Sequence, residues 1–362
     1  MSQTTPKTGE QQVEPLERFD DLLRAVGGDP KAIEGKLVRE MVHTALKLMR
    51  DGANTGELKL TSRSMKELRY AMKVFRPYQG VRKVAIFGSA RTDRNHPDYL
   101  GAVAYSRAMA QRGWMVITGG GGGIMRAGHG GAGRAASFGV AIRLPFEKAN
   151  DIIEGDPKLI VFRYFFTRKL IFVSQAHAVV LFPGGFGTMD EGFETLTLIQ
   201  TGKAPLVPVV MINSPGERYW HHWDRFVREE LLARNLVGAD DLSLYHVTDD
   251  VASAEQHVLH FYRNYESQRF VRDDLVIRMH RPLTEGQVGQ LNEQFADLVA
   301  AGRIAACGPQ AGERKHLDLP RLKFAFTRRG YGRLRQMIDR INDFDLENEG
   351  ATKTAGGTGE AQ

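Results

Sequence analysis

The residues best suited to chemistry stand together as Pro183-Gly184-Gly185-Phe186-Gly187-Thr188-Met189-Asp190-Glu191. The apolar run from Val179 to Phe182 reads as a buried strand. Pro183 breaks it, and a helix restarts with Thr188, Asp190 and Glu191 in its first turn. A glycine-rich turn between a strand and a helix N-terminus aims backbone N–H groups and the positive end of the helix dipole at one point. That point suits a phosphate held by Gly184, Gly185, Gly187 and Thr188. Glu191 suits chemistry on whatever the phosphate is attached to. The same residues have a structural use, because Thr188-x-x-Glu191 is the spacing of a capping box. A cap alone does not call for Pro183-Gly184-Gly185-x-Gly187 ahead of it.

Three other stretches are placed to face the same point. Arg168-Lys169 opens the helix that precedes the Val179 strand. Gly119 to Gly123, before Ile124-Met125, follows the apolar run Met115 to Thr118. Such a run allows positive φ and close backbone approach to a ligand, with Gly120, Gly121 and Met125 as candidates. It lacks the Gly-Lys-Ser/Thr ending of a P-loop. Gly88-Ser89-Ala90 follows the run Val84 to Phe87, and Gly88 and Ser89 would add N–H groups and a hydroxyl. A formal G-x-G-x-x-G, Gly128 to Gly133, sits too far past its strand for a dinucleotide turn and reads as close helix packing.

The elements that position these residues follow an alternating pattern. Apolar runs at 84–87, 115–118, 140–142, 159–162, 179–182, 206–212 and 244–247 are separated by helical stretches at 98–112, from the glycines to about 138, at 166–176 and at 219–235. This predicts an α/β fold, a Rossmann-like, doubly wound parallel sheet, in which ligands bind beyond the carboxyl ends of strands. All three glycine turns fall at such ends. Ahead of this domain, placed at 81–268, residues 17–80 carry three helical stripes (Phe19, Leu22, Leu23, Val26; Leu37, Met41, Ala45, Leu46, Leu48, Met49; Met65, Leu68, Met72, Phe75). They are expected to pack against the main domain. A helix from Val251 to about Arg269 should close that domain. Residues 269–344 read as a small α+β appendage of β-α-β-β-α order. Residues 1–16 and 345–362 are polar and read as disordered tails.

Composition narrows the function classes. The 362 residues carry a net charge of +6 without a dense basic patch, which favours small anionic ligands and no dedicated nucleic-acid partner. A lone cysteine, Cys307, leaves no internal disulfide framework and no cysteine-based zinc site, and points to a reducing, cytoplasmic location. No apolar run approaches the roughly 20 residues of a membrane span, and the polar N-terminus has no secretory core. No His/Asp/Glu cluster has convincing metal spacing, so no metal and no other cofactor is expected.

The unbroken Pro183-to-Glu191 sequence and Arg168-Lys169 resemble the paired signatures P-G-G-x-G-T-x-x-E and R-K of the LOG (Lonely Guy) family of nucleotide phosphoribohydrolases. The end of the glycine run, Gly123-Ile124-Met125, is similar to that family's G-G-G-x-x-G-[LI]-M turn. The resemblance covers roughly residues 81–262. Leu144-Pro-Phe-Glu147 and Tyr164-Phe-Phe166 look like the longer bacterial branch. The resemblance implies hydrolysis of the N-glycosidic bond of a nucleoside 5′-monophosphate to free base and ribose 5-phosphate, by a homodimer or a higher homo-oligomer. It makes Glu191 the carboxylate that stabilises an oxocarbenium-like state and positions water. Arg168 becomes the second catalytic residue, on the ribose and phosphate side. Lys169 and Thr197 would line the pocket, and Asn150 would touch ribose or base. Arg126 departs from the family, where a small or acidic residue often follows the methionine. Many members were labelled lysine decarboxylases, but that chemistry needs a Schiff-base lysine, and Lys169 stands beside Arg168 where a phosphate is expected. The alternative is a nucleotide-binding sensor that keeps the pocket without turnover and works through its extra regions.

Overall fold

A computed structural model describes residues 13–145 and 148–356 of the chain. Its central strand, β1 (Lys83–Phe87), is buried at every residue. β2 (Met115–Thr118), β3 (Ser137–Ile142), β4 (Leu159–Phe162), β5 (Ala178–Leu181), β6 (Val209–Ile212) and β7 (Tyr245–Thr248) run parallel to it in the order β4-β3-β2-β1-β5-β6-β7. The near-continuous apolar strands follow from coverage on both faces. Successive residues of β1 serve opposite cores: Val84 and Ile86 pack on one side, Ala85 and Phe87 on the other. This is the expected α/β architecture. The chain reverses its direction of growth between β1 and β5, paired from Val84–Ala178 to Phe87–Leu181. A crevice therefore opens beyond their carboxyl ends.

The helices are α1 (Val13–Ala25), α2 (Ile33–Arg50), α3 (Thr55–Phe75), α4 (Pro97–Gln111), α5 (Gly123–Ala132), α6 (Phe165–Gln175), α7 (Phe186–Gln200), α8 (Tyr219–Phe226), α9 (Val251–Phe261), α10 (Glu285–Gln294) and α11 (Tyr331–Gly356). The chain divides into two compact units, residues 1–66 and 67–362, with the division inside α3. In the first unit, α1 ends before Gly27, whose φ of 80° suits glycine. Arg39 of α2 pairs with Asp20 of α1. Residues 1–12 and 357–362 of the expected tails lie outside the described residues, as do Phe146 and Glu147. Helices α1 and α11 both reach into the stretches expected to lack structure.

Several expected boundaries move. β3 begins at Ser137, so the glycine-rich helix stops well before Phe138. The helix expected to run from Val251 to about Arg269 ends at Phe261, and β8 (Tyr265–Val271) follows. β8 is a half-exposed edge strand whose polar residues Glu266, Ser267, Gln268 and Arg269 hide the apolar signature of a strand. With β9 (Asp274–Met279), β10 (Val299–Cys307) and β11 (Arg321–Phe326) it forms an antiparallel sheet ordered β10-β11-β9-β8. The appendage thus has one strand more than its sequence suggests. Asn342 of α11 ties it to α9: its side-chain oxygen accepts from the N–H groups of Asn264 and Tyr265, and its amide donates to Phe261 O.

Candidate active site

Helix α7 starts without a side-chain cap. Its N-cap is Gly185, with extended backbone angles. By contrast His96, Asp250 and Thr284 cap α4, α9 and α10 with their side chains. The expected capping box is therefore absent. Thr188 lies in the first turn of a helix that begins at Phe186, and Glu191 stands a turn further in, so neither can satisfy the other's N–H. The Glu191 carboxylate is released from capping and turns inward.

Glu191 is buried, and its Oε1 accepts from Nη2 of Arg168 at 3.1 Å. One side of it faces a small apolar pocket lined by Phe87, Phe172, Val179 and Ile199. The other side faces an open cavity of about 1230 Å³ of free space. Burial pushes its carboxyl up to about 7, against the opposing pull of Arg168 and Lys169. Arg168 projects from the first turn of α6 and is held over the rings of Phe165 and Phe172. The Glu191 carbonyl is fixed by the hydroxyl of Thr195 at 2.7 Å.

The cavity lies at the β1/β5 reversal. Gly88 and Ser89 after β1, Gly119 and Met125 from the second turn, and Gly185, Gly187, Thr188, Glu191 and Arg168 all line it. Three close approaches hold these turns together. A methyl at Gly88 would meet Ile124 at 2.6 Å, one at Gly184 would meet Thr188 Oγ1 at 2.1 Å, and one at Gly123, whose φ is 55°, would meet Ser89 O at 2.2 Å. The Ser89 N–H donates to Pro183 O, and Ser89 O accepts from the Ile124 N–H, so the β1, β2 and β5 turns form one hydrogen-bonded unit.

Other sequence candidates are placed differently. Gly184 lies behind the lining, its carbonyl accepting from the Tyr219 hydroxyl. Gly120 and Gly121 point their carbonyls at the Asn150 amide, 2.9 Å from each. Asn150 is buried and also meets His129, so it braces the glycine turn instead of lining the cavity. Lys169 is drawn away by Asp190 and Glu194, at 2.8 and 3.0 Å. Burial lowers its affinity for a proton, but these carboxylates outweigh burial and raise it. Thr197 is exposed and borders a separate apolar cavity with Leu196 and Trp223, because the helical turn carries it off the Glu191 face. Arg126 makes a two-pronged pair with Asp151, 2.7 Å for each contact, and donates to Tyr99. The Gly128–Gly133 segment is close packing, as expected: a methyl at Gly131 would meet Val103 O of α4 at 2.1 Å.

Arg91 is the residue that sequence reasoning missed. It lines the cavity beside Ser89, whose hydroxyl accepts from the Arg91 N–H at 3.1 Å. Its exposed side chain makes no hydrogen bond or ion pair among the described residues. A cation two residues past a strand-end serine was the available signal. Phe186, 96% exposed at the cavity rim, is a second lining residue that was not singled out from the sequence. Among the described residues no group of three His, Cys, Asp or Glu side chains could hold a metal, and no helix is long and apolar enough to cross a membrane.

Residues 115–258 match a family model described as "Possible lysine decarboxylase". No curated protein matches the chain. Among solved structures, the molybdenum cofactor carrier protein of Chlamydomonas reinhardtii is 23% identical, with 49% of this chain and 96% of that chain covered and a TM-score of 0.36. The molybdenum cofactor binding protein of Rippkaea orientalis is 19% identical, with 48% and 91% covered and a TM-score of 0.34. DNA processing protein A of Helicobacter pylori is 13% identical, with 49% and 80% covered and a TM-score of 0.31.

Proposed function

We propose that the chain, whose residues 115–258 match the family model described as "Possible lysine decarboxylase", is a nucleoside 5′-monophosphate phosphoribohydrolase of the LOG type that its signatures resemble. The observation that carries this reading is the buried Glu191–Arg168 pair at the floor of a cavity that also takes in the uncapped start of α7. The 5′-phosphate sits at the N-terminus of α7, where Gly185, Gly187 and Thr188 present backbone and hydroxyl to it. Arg91 closes on it from the β1 turn. The ribose then extends from the α7 start toward Glu191.

Cleavage breaks the bond between C1′ and the base nitrogen, and the bonding pair leaves with the base. The cationic ribose so formed is stabilised by the Glu191 carboxylate. Glu191 accepts a proton from the water whose oxygen bonds to C1′, and that proton passes on to the departing base or to solvent. The apolar pocket behind Glu191 supplies the burial that makes it basic enough for this role, while Arg168 holds it in place and keeps a share of it ionised near neutrality. Lys169 does not suit a Schiff base, since two carboxylates keep it charged.

The test is to incubate the purified chain with each common nucleoside monophosphate and measure free base and ribose 5-phosphate. Turnover of at least one monophosphate, and little turnover of the matching nucleoside, is expected. Tight binding with no turnover of any monophosphate would replace this reading with that of a nucleotide sensor.

A further inference from the structure

Gly184 stands behind the cavity lining, yet its carbonyl decides what the cavity presents. That carbonyl is held from outside, by the hydroxyl of Tyr219, which donates to it. The preceding carbonyl, of Pro183, accepts from the Ser89 N–H at 3.0 Å. Both peptides flanking Gly184 are therefore fixed by other turns. Tyr219 is itself anchored, as the first residue of α8. The adjoining Trp220 N–H donates to Asn213 Oδ1 at 2.8 Å, and the Asn213 amide donates to Asp249 Oδ1 at 2.9 Å. The Tyr219 ring meets the buried Trp220 ring edge-on, with centroids 4.8 Å apart. Support for the turn after β5 thus runs from the carboxyl ends of β6 and β7. Burial raises the Tyr219 phenol above its ordinary value, so the hydroxyl stays a donor at neutral pH.

We propose that Tyr219 is a positioning residue: it sets the direction of the Gly184–Gly185 peptide, so that the Gly185 N–H and not the Gly184 carbonyl faces the bound anion. The inference rests on the phosphate placement proposed above. No peptide bond among the described residues is cis, and in a trans peptide the C=O and the following N–H point opposite ways. Tyr219 stands outside the cavity and Gly185 lines it. Fixing the Gly184 oxygen on the Tyr219 side therefore turns the Gly185 N–H toward the cavity. That N–H and those of Phe186 and Gly187 have no acceptor among the described residues, as befits the uncapped start of α7. The opposite orientation is within reach, because two glycines in succession rotate about their shared peptide with little steric penalty. The rotated peptide would put a carbonyl oxygen beside the phosphate and withdraw one of its donors. The Tyr219 hydrogen bond separates the two orientations in energy. Apparent affinity falls with the share of molecules in the wrong one.

Tyr219→Phe in the full chain tests this, since it removes the hydroxyl and keeps the ring against Trp220. Its affinity for ribose 5-phosphate, measured by calorimetric titration, should fall by about 5- to 10-fold, the worth of one hydrogen bond. In turnover, KM for the monophosphate should rise by a similar factor while kcat stays within about twofold, because Glu191 and Arg168 are untouched. A general loosening of the site would lower kcat as well. Unchanged affinity for ribose 5-phosphate, or a kcat that falls as far as KM rises, overturns the proposal. A second measurement needs no variant: inorganic phosphate added to wild type labelled with nitrogen-15 glycine should shift the Gly185 amide resonance, and a Gly185 amide that does not respond overturns the proposal too. A wild type that binds ribose 5-phosphate but turns over no monophosphate overturns the phosphoribohydrolase reading alone, and the titrations still decide the role of Tyr219. A wild type that binds no ribose 5-phosphate overturns both.

Discussion

Arg168 Nη2 lies 3.1 Å from Glu191 Oε1, and both side chains are nearly withdrawn from solvent. The two arrive from different helices, Arg168 from the start of α6 and Glu191 from the second turn of α7. The pair joins a carboxylate made basic by burial to a cation that moderates it. Removing either partner shifts the other's chemistry in a defined direction.

The pH dependence follows from that balance. Burial raises Glu191 to about 7, so the carboxylate form grows as pH rises through 7. The rate constant kcat/KM should climb by about tenfold for each pH unit below 7 and level off above it. Arg168→Met removes the larger of the two cationic contributions that lower Glu191, so the rising limb should move to higher pH. A pH–rate profile of both proteins checks this, and an acidic limb near pH 4.5 in the wild type would assign the rate to another group.

Stability should respond in the opposite sense. A carboxyl raised from 4.5 to about 7 on folding binds its proton more tightly in the native state. Its contribution is favourable below pH 4.5 and is lost as pH rises to 7. Glu191→Gln escapes that loss, and its stability relative to the wild type should improve by up to about 3 kcal/mol between pH 4 and pH 8. Denaturant melts at the two pH values measure it. A variant equally destabilised at both would mean that Glu191 is not held in an apolar setting.

Two changes on α7 and its turn separate the cavity from its surroundings. Gly184→Ala puts a methyl 2.1 Å from Thr188 Oγ1 and 2.9 Å from the Ser89 nitrogen. It should wedge the β1 and β5 turns apart and lower kcat/KM by about 100-fold or more. Thr197→Ala lies outside the cavity and should stay within about twofold of the wild type. Steady-state kinetics on the two variants decide the matter.

Asn150→Ala should act through the glycine turn and not through substrate contact. It leaves the carbonyls of Gly120 and Gly121 without their amide donor and the buried His129 without its neighbour. A loss of about 1–3 kcal/mol is expected, visible in thermal melts without ligand. Full stability with a selective rise in KM would return Asn150 to the list of substrate contacts.

The strands were legible because each parallel strand is an apolar run covered on both faces, as Val84–Phe87 and Val179–Phe182 are. The meeting of the three glycine turns was legible too, since all follow strands. β8 was not, because its polar edge residues carry no apolar run. At the site, type and spacing pointed to Glu191 and Arg168. The Thr188-x-x-Glu191 spacing forms no capping box because Gly185, not Thr188, is the N-cap of α7, which moves Glu191 from the cap to the interior face. Lys169 and Thr197 sit on the signature's own helices, but their angular positions turn them toward Asp190 and Glu194 and toward Trp223's cavity. Asn150 stands at the expected turn, and its amide meets the carbonyls of Gly120 and Gly121 there. Arg91 escaped because a single arginine after a strand end carries no pattern of its own.

The most direct measurement is release of ribose 5-phosphate from a panel of nucleoside 5′-monophosphates by the wild type and by Glu191→Gln, assayed side by side at pH 8. The wild type should release it together with an equal amount of free base from at least one monophosphate, and Glu191→Gln should be slower by about 1000-fold or more. Equal release by the two proteins, or none by the wild type, would contradict the assignment.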